Sequence, residues 1–354
     1  MSDGRHAIRF TYLSQEDLLQ AGCLDFRLAI DAAESALLAY RNGDVLFPEK
    51  IVQIFNPETQ ERINCLPATL RREGVCGVKW VSVFPSNVSA FGVQNLAAIV
   101  VLSEIEKGFP FAVMEGTLAS NVRVGAMSAL AARYFAPEEP RVIGFIGSGE
   151  QAKMTLLAMK SVRPGLVECR VCAKTVEEER QFVRELAPIL TDMDLVAAET
   201  DSAWAMSESD ILVTATSAQA PLLKAAWMKP GSFYSHVGGW EDEYAVAKQC
   251  EKIVCDDWEA VKHRTQTLSR MYAVGELSDA DISGNLVEFV AGDKPARERE
   301  DERVYFNAVG LAYVDVAISL AMYRRAVEAG KGQQLTMQET MVFDHPCISD
   351  HIRL

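Results

Sequence analysis

The sequence lacks the features that mark membrane, secreted and nucleic-acid-binding proteins. No apolar run reaches the roughly 18 residues that a transmembrane helix needs, and residues 1–22 lack the apolar stretch of a signal peptide. Basic residues are outnumbered, 35 against 49 acidic ones, which gives a net charge of −14. An acidic surface repels nucleic acid and anionic membranes. We therefore expect a cytoplasmic protein that binds neither.

Histidine is scarce, and neither histidine nor cysteine occurs in the pattern of a metal site. The five histidines are scattered without paired spacing, so we expect no metal. The eight cysteines fit a reducing compartment, in which thiols stay free. Cys169 and Cys172 form a C-x-x-C, but they lie in the strand-like VECRVCA, where residues three apart face opposite sides. We interpret them as ordinary strand residues.

The length of 354 residues is more than twice that of a usual domain and predicts two domains. Before residue 117 strand-like runs dominate, with a hairpin turn at Glu106–Gly108, and these predict a mostly antiparallel α+β domain. Residues 141–315 alternate strands and helices, which predicts a doubly wound α/β domain with a parallel sheet. The predicted boundaries are 1–125 with 316–354, and 126–315.

A long helix ending at Gly330 closes the predicted elements. It has no strand to follow it. We therefore expect it to pack back on the first domain.

A glycine motif opens the alternating region. Gly147, Gly149 and Ala152 form G-x-G-x-x-A between a strand and a helix. The first glycine permits a tight turn, the second lets the backbone approach a pyrophosphate, and the small third residue lets helix and strand pack closely. The position in an alternating series is the context that this motif needs. It predicts a Rossmann dinucleotide site whose contacts come from Gly147, Ser148, Gly149, Glu150 and Gln151.

The end of the second strand of this domain indicates which dinucleotide binds. NAD enzymes usually carry an acidic residue there for the ribose hydroxyls, but this chain has Ala173, Lys174 and Thr175. An ammonium and a hydroxyl would hold a 2′-phosphate, which favours NADP(H) over NAD(H). In the alternative interpretation Lys174 and Thr175 only open a surface helix, with Thr175 as its N-cap. Both can hold at once.

With these residues in place, the chain resembles the ornithine cyclodeaminase/mu-crystallin family over about residues 45–330. The resemblance implies a homodimer built from the sheets of the first domain, which becomes a substrate-binding and dimerisation domain, and a substrate that lies between the two domains. Several motifs carry it in order: GVKWVS (77–82), ASNVRVGAMSALAARYFA (119–136), GFIGSGEQA (144–152), VTATS (213–217), HVGG (236–239) and NAVGLAYVD (307–315).

The resemblance also implies roles for basic residues around a small amino-acid-like substrate. Lys79 matches the family lysine at the substrate and is a candidate catalytic residue, and Arg123 matches the arginine that holds the substrate carboxylate. Lys50 stands where cyclodeaminases have a second carboxylate-binding arginine. Such a trio suits a small anion.

On the cofactor side, the resemblance implies residues from two loops and one further position. Thr214 and Thr216 match one loop, and the next loop, beside the nicotinamide, begins with His236. The residues that this resemblance adds to the cofactor site are Thr214, Thr216, Val237, Gly238 and Asn307.

Two positions depart from the family pattern. Ornithine cyclodeaminases carry the proposed acid/base aspartate directly after the glycine pair, where this chain has Trp240 followed by the carboxylates Glu241 and Asp242. Val124 replaces the usual threonine. We expect Glu241, or failing that Asp242, to be the displaced acid/base, so that Glu241→Gln would lower turnover by roughly a hundredfold or more with cofactor affinity little changed.

These residues indicate a nicotinamide-dependent oxidoreductase acting on a small amino acid or its imine, with NADP, or else NAD, as cofactor. One alternative is an ornithine- or lysine-type cyclodeaminase that releases ammonia without net redox. Another is a mu-crystallin-like ligand- and NADPH-binding protein. Lys50 and residues 255–277 are also partly similar to the relatives that oxidise an N-(2-amino-2-carboxyethyl)-glutamate.

Overall fold

The computed structural model describes residues 7–353, which divide into two compact units. The first unit comprises the chain up to Asp25, Asp44–Ala119 and the chain from Asp315; the second comprises Phe26–Gly43 and Ser120–Val314. Compared with the predicted boundaries, the main difference is helix α2 (Phe26–Arg41), which belongs to the second unit. It packs there against two other helices, because its apolar stripe needs a partner.

The first unit is built on a mostly antiparallel sheet, as predicted. Its strands are β1 (Ile8–Leu13), β2 (Val45–Leu46), β3 (Ile51–Asn56), β4 (Glu61–Leu70), β5 (Val75–Val83), β6 (Leu96–Glu104), β7 (Pro110–Glu115) and β18 (Gln333–Gln338). They run in the order β18-β1-β7-β6-β5-β4-β2, and β3 also pairs with β4. Among the strands described in this sheet, only β1 and β7 pair in parallel. The turn between β6 and β7 is the predicted hairpin.

The pleat of this sheet separates a buried face from an apolar exposed face. Leu66 on β4 pairs with Lys79 on β5, and both side chains are buried. The next row across the sheet faces the other way. In that row Ile51, Trp80 and Ile99 are 60%, 43% and 40% exposed. The register thus leaves a row of large apolar side chains in water.

Helices complete the first unit. They are α1 (Gln15–Gln20), α3 (Asn87–Phe91) and α13 (Ile348–His351), while α4 (Thr117–Phe135) and α12 (Ala312–Glu328) run across the unit boundaries. The expectation that no strand follows the last long helix was wrong. β18 follows α12 and pairs with β1, its polar residues fitting an edge strand that is mostly exposed.

The second unit is built on an all-parallel sheet. Its strands are β8 (Val142–Ile146), β9 (Glu168–Cys172), β10 (Asp194–Ala197), β11 (Ile211–Thr214), β13 (Phe233–His236), β15 (Lys252–Cys255), β16 (Gly284–Asn285) and β17 (Val304–Asn307). They run in the order β10-β9-β8-β11-β13-β17-β15-β16. Residues of β11, β13 and β17 are buried throughout, as expected for strands with covered faces. The doubly wound fold is confirmed.

Helices and one small sheet surround this core. The helices are α2, most of α4, α5 (Glu150–Val162), α6 (Val176–Leu186), α7 (Ser202–Met206), α8 (Tyr244–Lys248), α9 (Trp258–Lys262), α10 (Thr267–Ala273) and α11 (Leu286–Val290). A separate parallel pair joins β12 (Gln219–Leu223) to β14 (Trp240–Asp242). The strand order reverses between β8 and β11, and ligands of such sheets bind outside the carboxyl ends of the strands at this switch point.

Two further sequence expectations concern the C-x-x-C cysteines and membrane-spanning helices. Cys169 and Cys172 are buried in β9 as free thiols, and burial raises the pKa of the Cys169 thiol, so the interpretation as strand residues is confirmed. No helix among residues 7–353 is both long and apolar enough to span a bilayer.

Candidate active site

The glycine turn between β8 and α5 lies at the switch point. Gly147 has φ +110°, and a Cβ there would lie 2.4 Å from the carbonyl oxygen of Ala215. Gly149 is the N-cap of α5 and has open space around the position of a Cβ, and no side chain caps the helix. Ala152 is buried. This turn therefore presents uncapped N–H groups to an open space, which suits a pyrophosphate.

The side chains beside this turn are partly engaged. Glu150 pairs with Lys153 at 2.8 Å, and Gln151 Nε2 donates to Asn121 Oδ1 at 2.7 Å. The other amide atom, Gln151 Oε1, is buried without a hydrogen-bond partner among residues 7–353. Ser148 is half-buried. A buried acceptor that lacks a donor fits a position that a bound ligand completes.

At the end of β9 the structure supports the capping interpretation of Thr175. Its hydroxyl accepts from Glu178 N, and the Glu178 carboxylate accepts from Thr175 N. These two bonds form a capping box. Lys174 is exposed. Behind this turn the fully buried Glu179 accepts from the backbone N–H groups of Ala173 and Thr200, both at 2.9 Å.

Glu241 lies on β14 and joins the loops that follow β11 and β13. Its Oε1 accepts from Thr216 N at 2.5 Å, and its Oε2 accepts from Thr214 Oγ1 and Gly238 N, both at 2.8 Å. The side chain is fully buried. Burial raises the pKa of the Glu241 carboxyl, while the three donors act in the opposite direction.

Asp242 points the other way along β14, as neighbouring residues of a strand do. It is fully buried and accepts from Thr267 Oγ1 at 2.6 Å, and both its oxygens lie 3.1 Å from Tyr305 OH. Burial raises the pKa of Asp242 to about 7. The two carboxylates expected to act at the substrate thus both contact side chains or backbone inside the second unit.

A proton count assigns the hydrogen bonds around Asp242. Burial lowers the pKa of His236 to about 4, so its ring is neutral. Its Nε2 lies 2.7 Å from the carbonyl of Gly239 and must carry the proton, so Nδ1 accepts from Tyr305 OH at 2.7 Å. The single Tyr305 proton is then used. The contacts between Tyr305 OH and Asp242 are therefore favourable when Asp242 is protonated and donates its proton to the Tyr305 oxygen.

Asn307 and Val237 lie next to the same loops. Asn307 is buried at the end of β17, and its Nδ2 donates to Gln266 Oε1 at 2.9 Å. Its Oδ1 has no hydrogen-bond partner among residues 7–353. Gln266 in turn donates to the carbonyl of Gly238 at 2.8 Å, and Val237 N donates to the carbonyl of Thr214 at 3.0 Å. These bonds connect the ends of β11, β13 and β17.

The guanidinium of Arg123, on α4, packs against Gly310. A Cβ on Gly310, which has φ +89°, would lie 2.9–3.0 Å from the guanidinium atoms of Arg123. The backbone N–H groups of Val309 and Gly310 donate to Asp256 Oδ2, at 2.9 and 2.7 Å. Burial raises the pKa of Asp256 to about 6. Asp256 therefore holds the loop on which Arg123 rests.

In the first unit Lys79 forms a buried ion pair. Its Nζ lies 2.6 Å from Asp315 Oδ1, and the side chains are 4% and 2% exposed. Lys50 directly precedes β3, and continuing the β3–β4 register by one residue places it opposite Leu66, the pairing partner of Lys79. Directly opposite residues share a face, so this register would put the half-buried Lys50 on the same side of the sheet as Lys79, two strands apart at roughly 10 Å.

Sequence reasoning missed several residues that position the candidate site. Asp315, Asp256 and Gln266 each hold a predicted residue or its loop, but they lie far from it along the chain. Asp315 and Asp256 occur inside segments already similar to the family, NAVGLAYVD and CDDW, and an acidic residue following an apolar strand or opening a helix was the available signal.

Comparisons with known proteins agree with this architecture. Residues 15–330 match the model of the ornithine cyclodeaminase/mu-crystallin family. N-((2S)-2-amino-2-carboxyethyl)-L-glutamate dehydrogenase of Staphylococcus aureus is 26% identical over 92% of this chain and 98% of its own length.

Two solved structures are similar over nearly their whole length. The Δ(1)-pyrroline-2-carboxylate reductase of Thermococcus litoralis, in complex with NADH and L-proline, has a TM-score of 0.87 and 28% identity, covering 92% of this chain and 99% of that one. An archaeal alanine dehydrogenase dimer with bound NAD has a TM-score of 0.85 and 28% identity, covering 94% and 100%. Since the family model spans most of the sequence, this chain belongs to the ornithine cyclodeaminase/mu-crystallin family.

Proposed function

We propose that this protein is a nicotinamide-dependent oxidoreductase that interconverts a small amino acid and its imine. The observation that carries the proposal is the uncapped N-terminus of α5 behind Gly147 and Gly149, at the switch point of the parallel sheet. The similar proteins include an amino-acid dehydrogenase and an imine reductase, two of them with NADH or NAD bound.

The chain's own residues would hold the cofactor at three places. The α5 N-terminus would hold the pyrophosphate, the turn after β9 the adenosine ribose, and the loops after β11 and β13 the nicotinamide. When bound, the nicotinamide supplies or accepts the hydride. Gln151 Oε1 and Asn307 Oδ1 fit such a ligand, because each is a buried acceptor that receives no hydrogen bond from residues 7–353.

Basic residues would hold the carboxylate of the substrate. Arg123 offers a planar fork of donors that suits a carboxylate, and Gly310 leaves room for it. Lys50 and Lys79 would supply further positive charge. Cations of this kind would favour a small anionic substrate despite the acidic surface of the protein.

Lys79 would also move the proton of the reaction. Oxidation removes a hydride from the substrate carbon and a proton from its nitrogen, and reduction of the imine returns both. Asp315, 2.6 Å from Lys79 Nζ, would fix that nitrogen and stabilise its charged form in a buried position. Lys79 is then the candidate proton carrier, since Glu241 and Asp242 are occupied inside the second unit.

Net redox chemistry is favoured over cyclodeamination by Trp240. It occupies the position at which the family cyclodeaminases carry their aspartate, and an indole does not ionise at neutral pH and so cannot replace that acid/base. The guanidinium of Arg270 stacks on its ring at 4.5 Å, which gives this side chain a fixed place.

For the cofactor we propose a preference for NADP(H) through Lys174. The exposed ammonium would attract a 2′-phosphate, although Glu177 and Glu178 in the first turn of α6 oppose it. Lys174→Ala should therefore weaken NADPH binding by roughly fivefold and leave NADH binding unchanged. Arg180→Ala, at an exposed position on the same helix, is the control. Equal effects on both cofactors would contradict the proposal.

The function is tested by binding and then by turnover. Nicotinamide fluorescence titrates NADH and NADPH, and a panel of amino acids, cyclic imines and 2-oxo acid–amine pairs, including N-((2S)-2-amino-2-carboxyethyl)-L-glutamate, is screened by absorbance of the reduced nicotinamide. Turnover with a net absorbance change supports the proposal. Ammonia release without that change would identify a cyclodeaminase, and tight binding without turnover a binding protein.

A glycine pair provides the matched control. Gly147→Val should abolish cofactor binding, because its Cβ meets Ala215 O. Gly165→Ala should have no effect, since its Cβ would lie 3.8 Å from the nearest atom, Pro140 O. Unchanged cofactor affinity in Gly147→Val would contradict the assignment of the phosphate site.

A further inference from the structure

The loop Thr214–Thr216 is enclosed by two glycines. A Cβ on Gly147 would lie 2.4 Å from Ala215 O, and a Cβ on Gly238 would lie 2.3 Å from Thr216 O. The phosphate turn therefore packs on one side of this loop and the loop after β13 on the other. The position of all three backbones depends on whatever holds the middle loop in place.

Glu241 holds the loop Thr214–Thr216 in place. Its two oxygens accept from Thr216 N and Thr214 Oγ1 of the middle loop and from Gly238 N of the next loop. The carboxylate is fully buried, so no water replaces these bonds when one is lost. It also lies close to the Gly238 backbone, since a Cβ on Gly238 would come within 2.5 Å of Glu241 Oε1. Gly238 must therefore lack a side chain for the carboxylate to reach its donors.

We propose that Glu241 is a positioning residue for the nicotinamide end of the cofactor site. It holds the loops after β11 and β13 in a fixed arrangement and does not transfer a proton to or from the substrate. The inference rests on the proposed function for the identity of the ligand. It replaces the expectation that Glu241 is the displaced acid/base of the cyclodeaminases, because both oxygens face loop donors and none faces solvent.

The two roles give opposite kinetic results in Glu241→Gln. The amide offers one acceptor oxygen and one NH₂ group, so the NH₂ must face Thr216 N–H or Gly238 N–H, and the loops separate. A positioning role predicts that the Kd of the cofactor rises roughly ten- to a hundredfold, while kcat at saturating cofactor falls far less. Amide hydrogen exchange at Thr216 and Gly238 should also become faster in the cofactor-free protein, which measures the loops without turnover.

The matched control is Glu243→Gln, on the residue that follows β14. Glu243 accepts from Ala225 N at 3.3 Å, away from both loops, and its variant should keep the wild-type Kd, kcat and exchange rates. If Glu241→Gln does not fold, Thr214→Val keeps the shape and removes one donor to the carboxylate. Its Kd should then rise roughly threefold or more.

The outcomes separate this inference from the proposed function. A wild-type protein that binds neither NADH nor NADPH overturns both. If the wild type binds cofactor and Glu241→Gln keeps its Kd and exchange rates but loses turnover a hundredfold, Glu241 is catalytic and only the inference is overturned. Unchanged Kd in Thr214→Val also overturns it.

Discussion

The buried carboxyl groups of the candidate site have different partners in the two units. In the first unit the carboxylate of Asp315 meets the ammonium of Lys79 at 2.6 Å. In the second unit Glu241, Asp242 and Asp256 are buried and are held by backbone N–H groups and hydroxyls. An ion pair keeps a titratable nitrogen charged in place, whereas neutral donors fix the geometry of loops. The first arrangement suits chemistry and the second suits positioning.

The sheets also differ in what covers them. The strand β11 is buried along its whole length, but β5 has a buried face with Lys79 and an exposed face with Trp80. A parallel sheet is covered by its own crossover helices. The first sheet has an apolar row that remains to be covered, and this favours association with a second copy.

The largest effect is expected from breaking the ion pair. Lys79→Met should lower kcat by roughly 10²–10⁴-fold, because the proton carrier is lost. It should also lower the free energy of unfolding by about 3–5 kcal/mol, since Asp315 stays buried without the ammonium. Steady-state kinetics and urea unfolding measure the two effects.

The double variant Lys79→Met, Asp315→Asn separates these contributions. It should recover much of the stability and none of the activity. Lys107→Met, on an exposed residue of the β6–β7 turn, is the control. Recovery of turnover in the double variant would show that Lys79 has only a structural role.

The second largest effect concerns the apolar row. We expect the wild type to behave in light scattering as a dimer with twice the mass of one chain. Trp80→Glu places a charge in that row and should raise the Kd of the dimer at least about a hundredfold. Val274→Glu, at a 63% exposed apolar residue of the second unit, is the control. A monomeric wild type at micromolar concentration contradicts the prediction.

A smaller effect is expected at Gly310, against which the guanidinium of Arg123 packs. In Gly310→Ala the new Cβ collides with the guanidinium, so the KM for the amino-acid substrate should rise roughly ten- to thirtyfold, with little change in the Kd of the cofactor. Gly275→Ala controls for backbone strain, because its φ is +76° and it has open space. If both variants behave alike, strain and not the collision explains the result.

The smallest effect is a change of stability with pH. Burial raises the pKa of Asp242 from 3.8 to about 7. The buried, protonated Asp242 therefore contributes its full stabilisation at a pH below its unfolded pKa, and this stabilisation is lost as the pH rises through about 7. Asp242→Asn removes this loss, so the variant should gain stability relative to wild type as the pH rises from about 4 to about 7, by about 1.4 kcal/mol per pH unit.

Urea unfolding at several pH values, compared between variant and wild type, tests this prediction. His236 gives the opposite trend in both proteins, since its lowered pKa of about 4 makes stability increase as the pH rises toward neutrality. A difference between the two proteins that does not change with pH would contradict the protonation of Asp242.

Local patterns in the sequence predicted most of the fold. The strands β8, β9 and β11 are short apolar runs between turn signals, and the glycine turn is a local motif, so both could be recognised from neighbouring residues. β17 and β18 were not recognised. A highly charged segment precedes β17, and β18 is an edge strand with little apolar pattern.

Long-range partners could not be predicted in the same way. The stripe of α2 indicates that it packs on something, but not on which unit. Lys79 and Arg123 were identified through the family resemblance, but Asp315 and Gly310, which seat them, are brought near only by the fold. The orientation of Glu241 likewise depends on the pairing of β12 with β14, which no local pattern indicates.

The pairing of β1 with β18 affects how the chain reaches its fold. Tyr12 pairs with Gln333, so two strands that lie far apart along the chain depend on each other. Closing so long a loop costs chain entropy before any contact compensates it, and high contact order slows folding. During translation the open edge of β1 stays without this partner until the ribosome has released residues 333–338. The first unit therefore completes its sheet only after these residues have emerged, and until then it exposes an unpaired strand edge that can aggregate.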